Sequence, residues 1–284
     1  MVNRIIVTGI IASIIIGIAI GVAYLDFEII NESETAQKTS DGNVQKLIEL
    51  LESGKVSEFN ELKETLDLSR ISLEGADLQG KDLREINLER VYITNVNLQG
   101  ANLQGLTLIY TNMKDVNLQG ANLRNVDISR AWLSGVNLQD ADLQDAYLKN
   151  THVGDSNLKF ANLQGANLEG VNFGAASLFE TNFQNSSLQG ANLSEINLEK
   201  LIFTGADMQF ANLKYSSLQG ANLQNTNMKN INLENADLRG ANLSNADLQD
   251  AKLNNANLIN TNLVDMKNLP ISTDEAKQRG AIVD

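Results

Sequence analysis

Between Leu68 and Leu263 an apolar residue recurs at every fifth position without insertion, and all 40 such positions hold Leu, Ile, Val, Met or Phe. Thirty-one of them are Leu. Two residues earlier stands mostly something small or β-branched, as at Ala101, Val116, Ala121 and Ser186. The residue between the two is Asn or Asp in 29 of the 40 units, and the second residue after the apolar centre is Gly, Asn or Asp in 28. A five-residue step walks around an α-helix and alternates faces on a flat strand, so neither element buries this pattern. Asn, Asp, Gly and Ala are also depleted in regular strands. A bent path does bury it. The small residue and the apolar centre share one face and point inward, while the Asn or Asp between them points outward. The Gly, Asn or Asp that follows tolerates left-handed backbone and turns a corner. Repeated corners close into coils, and stacked coils bury one continuous apolar column.

The number of units per coil is written in the outward residues. Gln79, Gln99, Gln119 and Gln139 recur at twenty, as do the Leu-Gln-Gly triplets beginning at 78, 98 and 118. Twenty residues are four units, which predicts four walls, with amides one coil apart placed to hydrogen-bond. Forty units give about ten coils, a rod of about 48 Å at ~4.8 Å per coil.

"ANLQG" at 101–105 and "ADLRG" at 236–240 state the unit in full: small residue, Asn or Asp, Leu, polar residue, Gly. In this pattern residues 67–265 resemble the pentapeptide-repeat family. The resemblance implies an all-β repeat solenoid, a right-handed quadrilateral β-helix with four units per coil. Lys81, Leu106 and Leu201 depart from the small inward residue, and Ile202 takes an outward polar place. Local bulging is expected there. The resemblance also implies one particular activity. Some members imitate duplex DNA with an acidic rod and bind a type II topoisomerase, protecting it from inhibitors.

The two ends of such a stack need covers. Residues 43–53 set Val44, Leu47, Ile48 and Leu51 on one helical stripe before Gly54, and a second helix over 56–65 offers Val56, Phe59 and Leu62. Together 43–66 read as a helical N-terminal cap. After the only proline, Pro270, Ser272 and Glu275 have capping-box spacing and Gly280 ends a helix. Residues 266–284 therefore read as a C-terminal cap helix.

Residues 1–25 belong to another solvent. Ile5 to Leu25 are 21 uncharged, mostly apolar residues, enough at ~1.5 Å each to span a hydrocarbon core of about 30 Å. Arg4 precedes them and Asp26, Glu28, Glu32 and Glu34 follow, which predicts a single-pass anchor with its N-terminus cytoplasmic and the repeats outside the cytosol. The alternative is a secreted protein cleaved after a signal peptide near Gly21-Val22-Ala23. Gly9, Ser13, Gly17 and Gly21 fall every four residues, a small-residue stripe suited to self-association and hence to a homodimer. Residues 26–42 read as a flexible acidic linker.

Charge and composition narrow the chemistry. With no Cys the chain forms no disulfide and has no thiol chemistry. Its net charge of −13 argues against nucleic acid or anionic lipid as partners. Yet 14 Lys or Arg are interspersed with 22 Asp or Glu over 67–265, so the rod surface is mixed and not a continuous acidic field. The single His152 has no second His or Cys to complete a metal cluster. Paired acids such as Asp142 and Asp145 read as solvated face. No catalytic, cofactor-binding or metal residue emerges, and a non-enzymatic role is expected. Asn31, Asn185, Asn192 and Asn242 match the glycosylation sequon, as chance allows in so Asn-rich a chain.

What remains is a membrane-tethered module that presents side chains to a protein or glycan partner, with the topoisomerase-binding role as the alternative. Unrolled at twenty residues per coil, Tyr92, Asn112, Trp132 and His152 form one outward column, and Arg70, Arg90, Tyr110 and Arg130 its neighbour across a corner. Trp, Tyr and Arg are enriched at binding hot spots. Elsewhere the outward slots are chiefly Asn, Asp, Ser and Gln, so this edge is expected to stand apart as the interaction site.

Overall fold

The computed structural model describes residues 41–66, 72–88 and 91–283. From Leu73 onward each five-residue unit turns once. The turn opens at the apolar centre, whose carbonyl accepts a hydrogen bond from the N–H three residues on, as in Ala121 N to Leu118 O at 3.0 Å. The third turn residue has positive φ (63° at Gly120, 56° at Asn125, 59° at Asp140). Positive φ at that position alone is the type II signature, which explains the rhythm of Gly, Asn and Asp.

Four such turns bring the chain back over itself. Outward residues pair with those twenty positions on in four parallel rows, which begin at Ser72, Asp77, Asp82 and Thr107. Each rung is held both ways: Leu118 N donates to Asn137 O at 2.8 Å, and Asn137 N donates to Val116 O at 3.0 Å. The result is a four-walled coil whose walls are single bridges between corners. The inward positions from residue 91 to 263 are buried, including Phe173, Phe183, Phe203, Met208 and Met228, while Lys81 in the first coil is only partly so. Phe183 stacks on Phe203 with ring centroids 5.0 Å apart and meets Phe173 edge-on at 5.9 Å.

Bulging does not follow the departures from consensus. The bridges Asp82↔Asn102, Thr107↔Asp127 and Asn182↔Ile202↔Asn222 carry the register past Lys81, Leu106, Leu201 and Ile202. From residue 112 to 267 the rows lack one pairing, Ser177 with Asn197, on the wall just before Leu201. Ile196 and Leu201, both larger than the usual small inward residue, flank that wall and are buried.

Helices α1 (Asp41–Glu52) and α2 (Val56–Glu64) cover the first coil. Thus α1 starts two residues inside the stretch read as linker. Leu47, Leu51 and Phe59 are buried in the common core, and Leu50 and Lys63, which the helical stripe did not single out, are buried with them. The cap also answers the backbone groups that have no coil below. Asn60 donates from Nδ2 to Glu85 O at 2.8 Å and accepts from Asn87 N at 2.9 Å. Glu52 accepts from Asp77 N at 3.2 Å, and Lys63 Nζ donates to Asn87 Oδ1 at 3.0 Å.

At the other end α3 is short, Thr273–Gln278, and is capped by Ser272, whose hydroxyl accepts from Glu275 N at 3.1 Å. The rest of the predicted cap helix is not helical. Beyond Gly280 (φ 82°) the tail lays down another rung, in which Ile282 pairs with Asn262. Arg279 Nη2 donates to Leu253 O at 2.9 Å and Ala256 O at 2.5 Å, carbonyls with no coil above them. Among the described residues no helix is long and apolar enough to cross a membrane. The expected anchor over 1–25, its stripe of Gly9, Ser13, Gly17 and Gly21, and residues 26–40 of the linker lie outside the described residues.

Candidate functional site

The outward slot explains why Asn fills it. Asn97 Oδ1 accepts from the N–H of Gln99 at 3.2 Å and from Asn117 Nδ2 at 3.2 Å. Asn137 and Asn157 continue the ladder at 3.1 Å each, and Asn97 itself donates to Asp77 at 2.8 Å. Each Asn thus closes its own turn and ties its coil to the preceding one. The expected amide ladder is built from these Asn residues at the wall centres, not from the glutamines at the corners.

Tyr92, Trp132 and His152 occupy the same slot without a carboxamide, and His152 keeps a ring nitrogen facing the next coil's Asn172. Trp132 and His152 stack on each other instead. The structure places Asn112, Trp132, His152 and Asn172 on successive rungs of one wall. The Trp132 and His152 rings lie 4.2 Å apart at 17°, and His152 Nδ1 faces Asn172 Nδ2 at 3.2 Å. Gly154 makes room for the imidazole: a Cβ there would come within 2.9 Å of His152 Nε2 and 3.0 Å of Gly174 O. Burial holds the His152 pKa below the ordinary histidine value, against an opposing pull from Asp155.

Across the corner the Arg130 guanidinium sits 5.4 Å from the Tyr110 ring centre and donates to its hydroxyl. Both residues have positive φ, 60° at Tyr110 and 58° at Arg130, where Gly or Asn would sit without strain. Tyr110 is 67% exposed, Tyr92 50% and Trp132 36%. Arg70 and Arg90, the remaining members of the expected edge, lie outside the described residues. The arrangement offers aromatic edges and a guanidinium for contact, with no nucleophile and base in register.

The edge does not stand apart as expected. Tyr147, Phe160, Phe179 and Tyr215 are also exposed on other walls and corners, and Phe210 is exposed further along the corner of Tyr110 and Arg130. The signal was in the sequence: Phe160, Phe210 and Tyr215 each replace the corner Gly or Asn. Elsewhere the surface is salted with cross-coil ion pairs, such as Lys149–Glu169 at 2.8 Å, Lys214–Glu234 at 3.1 Å and Arg124–Asp142 at 3.1 Å. Lys214 holds the Glu234 carboxyl below its usual pKa. Among the described residues no three His, Cys, Asp or Glu converge as metal ligands.

The repeat register is shared with known proteins. Eight overlapping copies of the model for pentapeptide repeats match the chain between residues 67 and 265. The chain belongs to the pentapeptide-repeat family. Proteins of this family form right-handed quadrilateral β-helices, and the four bridge rows here are the four walls of that form. Among solved structures, HetL, a pentapeptide-repeat protein involved in heterocyst differentiation regulation from the cyanobacterium Nostoc sp. strain PCC 7120, is 30% identical over 67% of this chain and 84% of its own, with a TM-score of 0.41. A trypsin-treated form of QnrB1, a plasmid-mediated fluoroquinolone resistance protein, is 19% identical over 75% of this chain and 98% of its own, with a TM-score of 0.38. Rfr23 from the cyanobacterium Cyanothece 51142 is 24% identical over 56% of this chain and 91% of its own, with a TM-score of 0.18. No curated protein matches significantly.

Proposed function

We propose that this pentapeptide-repeat protein is a non-catalytic interaction or scaffolding module, tethered to a membrane by residues 1–25 and displaying its rod outside the cytosol. A protein or glycan partner docks on the edge formed by Tyr92, Tyr110, Arg130, Trp132 and His152, extended in sequence by Arg70 and Arg90. The observation that carries the reading is the geometry of that edge. Trp132 forgoes the Asn ladder, and Tyr110 and Arg130 adopt strained corners, so the fold gives up stability to display them. The anchor rests on the 21-residue uncharged run alone.

Two experiments test this. Trp132→Ala is expected to lower partner capture at least about 10-fold, a loss of order 1.4 kcal/mol, without moving the melting temperature. A drop in melting temperature with capture intact would show that the stack merely holds the wall together. Topology is read by protease accessibility of the rod in sealed cells or vesicles. Protection on the cytosolic side would remove the outward placement and return the topoisomerase-binding role, while release of the rod into the medium would mean cleavage and secretion. The cross-coil Lys–Glu pairs favour the first reading over an acidic DNA imitation.

A further inference from the structure

A second corner departs from the repeat more sharply than the proposed edge. Where neighbouring coils carry Gln-Gly (99–100, 119–120 and 219–220), three successive coils carry Lys159-Phe160, Phe179-Glu180 and Glu199-Lys200. Phe160, Glu180 and Lys200 all sit at positive φ (62°, 57° and 60°), a conformation that suits Gly and strains a bulky side chain. The Phe160 and Phe179 rings meet edge-to-face at 5.6 Å, yet they are 44% and 57% exposed. Phe160 N donates to Phe179 O at 2.9 Å, which puts the two on adjacent coils of one corner. The missing Ser177–Asn197 pairing lies on the wall that enters this corner. Strain, exposed rings and an open ladder are all costs to the isolated chain.

The charges name the occupant. Read along the rod at one-coil steps, the first corner position runs Lys159, Phe179, Glu199. That order is self-complementary about Phe179 when a second rod lies antiparallel. Among the described residues none of Lys159, Glu180, Glu199 and Lys200 has an ion-pair partner within 4.0 Å, although Glu199 accepts from the Ser217 hydroxyl at 2.9 Å and lies in the field of Arg239. We propose that this corner is a docking surface for a second copy of the chain, packed antiparallel about a two-fold axis at Phe179. A two-fold contact requires that residue i meet j while j meets i. Here Lys159 meets the second copy's Glu199, Phe179 meets Phe179, and Lys200 meets the face of Phe160, a cation–π contact. The arrangement has one adverse pair, since Glu180 approaches its own copy. The corner involves only a few side chains, so the dimer is weak and concentration-dependent.

The absence of cysteine makes the test clean. Full-length Lys159→Cys and Glu199→Cys proteins are purified separately in detergent, oxidised alone and oxidised as a mixture. Antiparallel pairing places residue 159 of one copy beside residue 199 of the other, whereas the two copies of residue 159 stand about 10 Å apart along the rod, beyond disulfide reach. A linked dimer is therefore expected in the mixture and not with either protein alone. Linkage of Lys159→Cys to itself would mean parallel packing, as membrane-helix association would produce, and would overturn the proposal. Absence of linkage in every arm, with melting temperatures unchanged, would overturn it equally. Two charge variants read the same contact by sedimentation. Lys159→Glu is expected to weaken association and Lys159→Glu with Glu199→Lys to restore it, while Glu180→Gln tightens it.

Discussion

At the scale of the residue, the repeat is a set of solutions to local hydrogen-bonding demands. Asn succeeds at the wall centre because one carboxamide oxygen serves its own turn and one nitrogen serves the preceding coil. Trp132 at this slot forfeits both bonds, each worth ~1 kcal/mol, while His152 keeps the contact with Asn172 of the next coil. His152 adds a titration. Its pKa is lowered by burial, so at this residue the folded chain binds fewer protons than the unfolded one. The associated stability is full above the unfolded value near 6.5 and is lost as pH falls through the folded value. The single imidazole is expected to titrate by NMR with a midpoint below 6.5, and a midpoint at or above that value would contradict its packing against Trp132. Gly154→Ala tests the same seat from below. Its Cβ would press on His152 Nε2 and Gly174 O, so unstacking from Trp132 and a loss of ~1–3 kcal/mol are expected from thermal melts.

At the scale of the element, bulk inside a coil is balanced against the ladder between coils. Phe183 is fully buried and touches Phe173 half a coil away across the core and Phe203 one coil on. Truncation to Ala leaves a cavity that the rigid corners cannot close, and Phe183→Ala is expected to cost ~3–5 kcal/mol in denaturant unfolding. A loss below about 1 kcal/mol would mean that the coil collapses around the gap. The ladder is interrupted where Ser177 and Asn197 fail to pair. The amides of Leu178, Glu180 and Asn197 lack the coil-to-coil bond that Leu158, Phe160 and Asn157 make. They are expected to exchange with solvent ahead of those counterparts, because local opening there breaks no ladder bond. Equal protection would show an unbroken ladder there and remove the weak point.

At the scale of the whole molecule, a solenoid is stable only if its ends are finished. Asn60 and Glu52 supply the partners that the first coil lacks below, and Arg279 supplies those that Leu253 and Ala256 lack above. Arg279→Ala leaves both carbonyls without that donor and is expected to lower stability by ~1–3 kcal/mol, with the fastest amide exchange appearing at the C-terminal coils. The acidic excess is carried on walls crossed by Lys–Glu and Arg–Asp pairs, so the rod presents local patterns to a partner and not one uniform field.

The five-residue step by itself determined the coil and the inward column, because a side chain that must be buried at every fifth position leaves the backbone one regular path, and the twenty-residue recurrence of the outward residues determined its four walls. It also marked Trp132, His152, Tyr110 and Arg130 as neighbours, since twenty residues return the chain to the same place. What period alone could not decide was how outward residues share space. Only the tertiary structure showed that Asn carries the ladder, because its slot at the wall centre faces both its own turn and the coil below, whereas the corner glutamines only accept from it. Lys63 gave no sign of burial, since its partner Asn87 lies 24 residues on, on the coil it caps. The tail beyond Gly280 resumed the ladder because a finished edge needs a rung as well as a helix. The corner of Phe160 and Phe179 was written in the sequence as lost Gln-Gly pairs, but its meaning depended on strain, exposure and a parted wall, and those exist only once the coils are stacked.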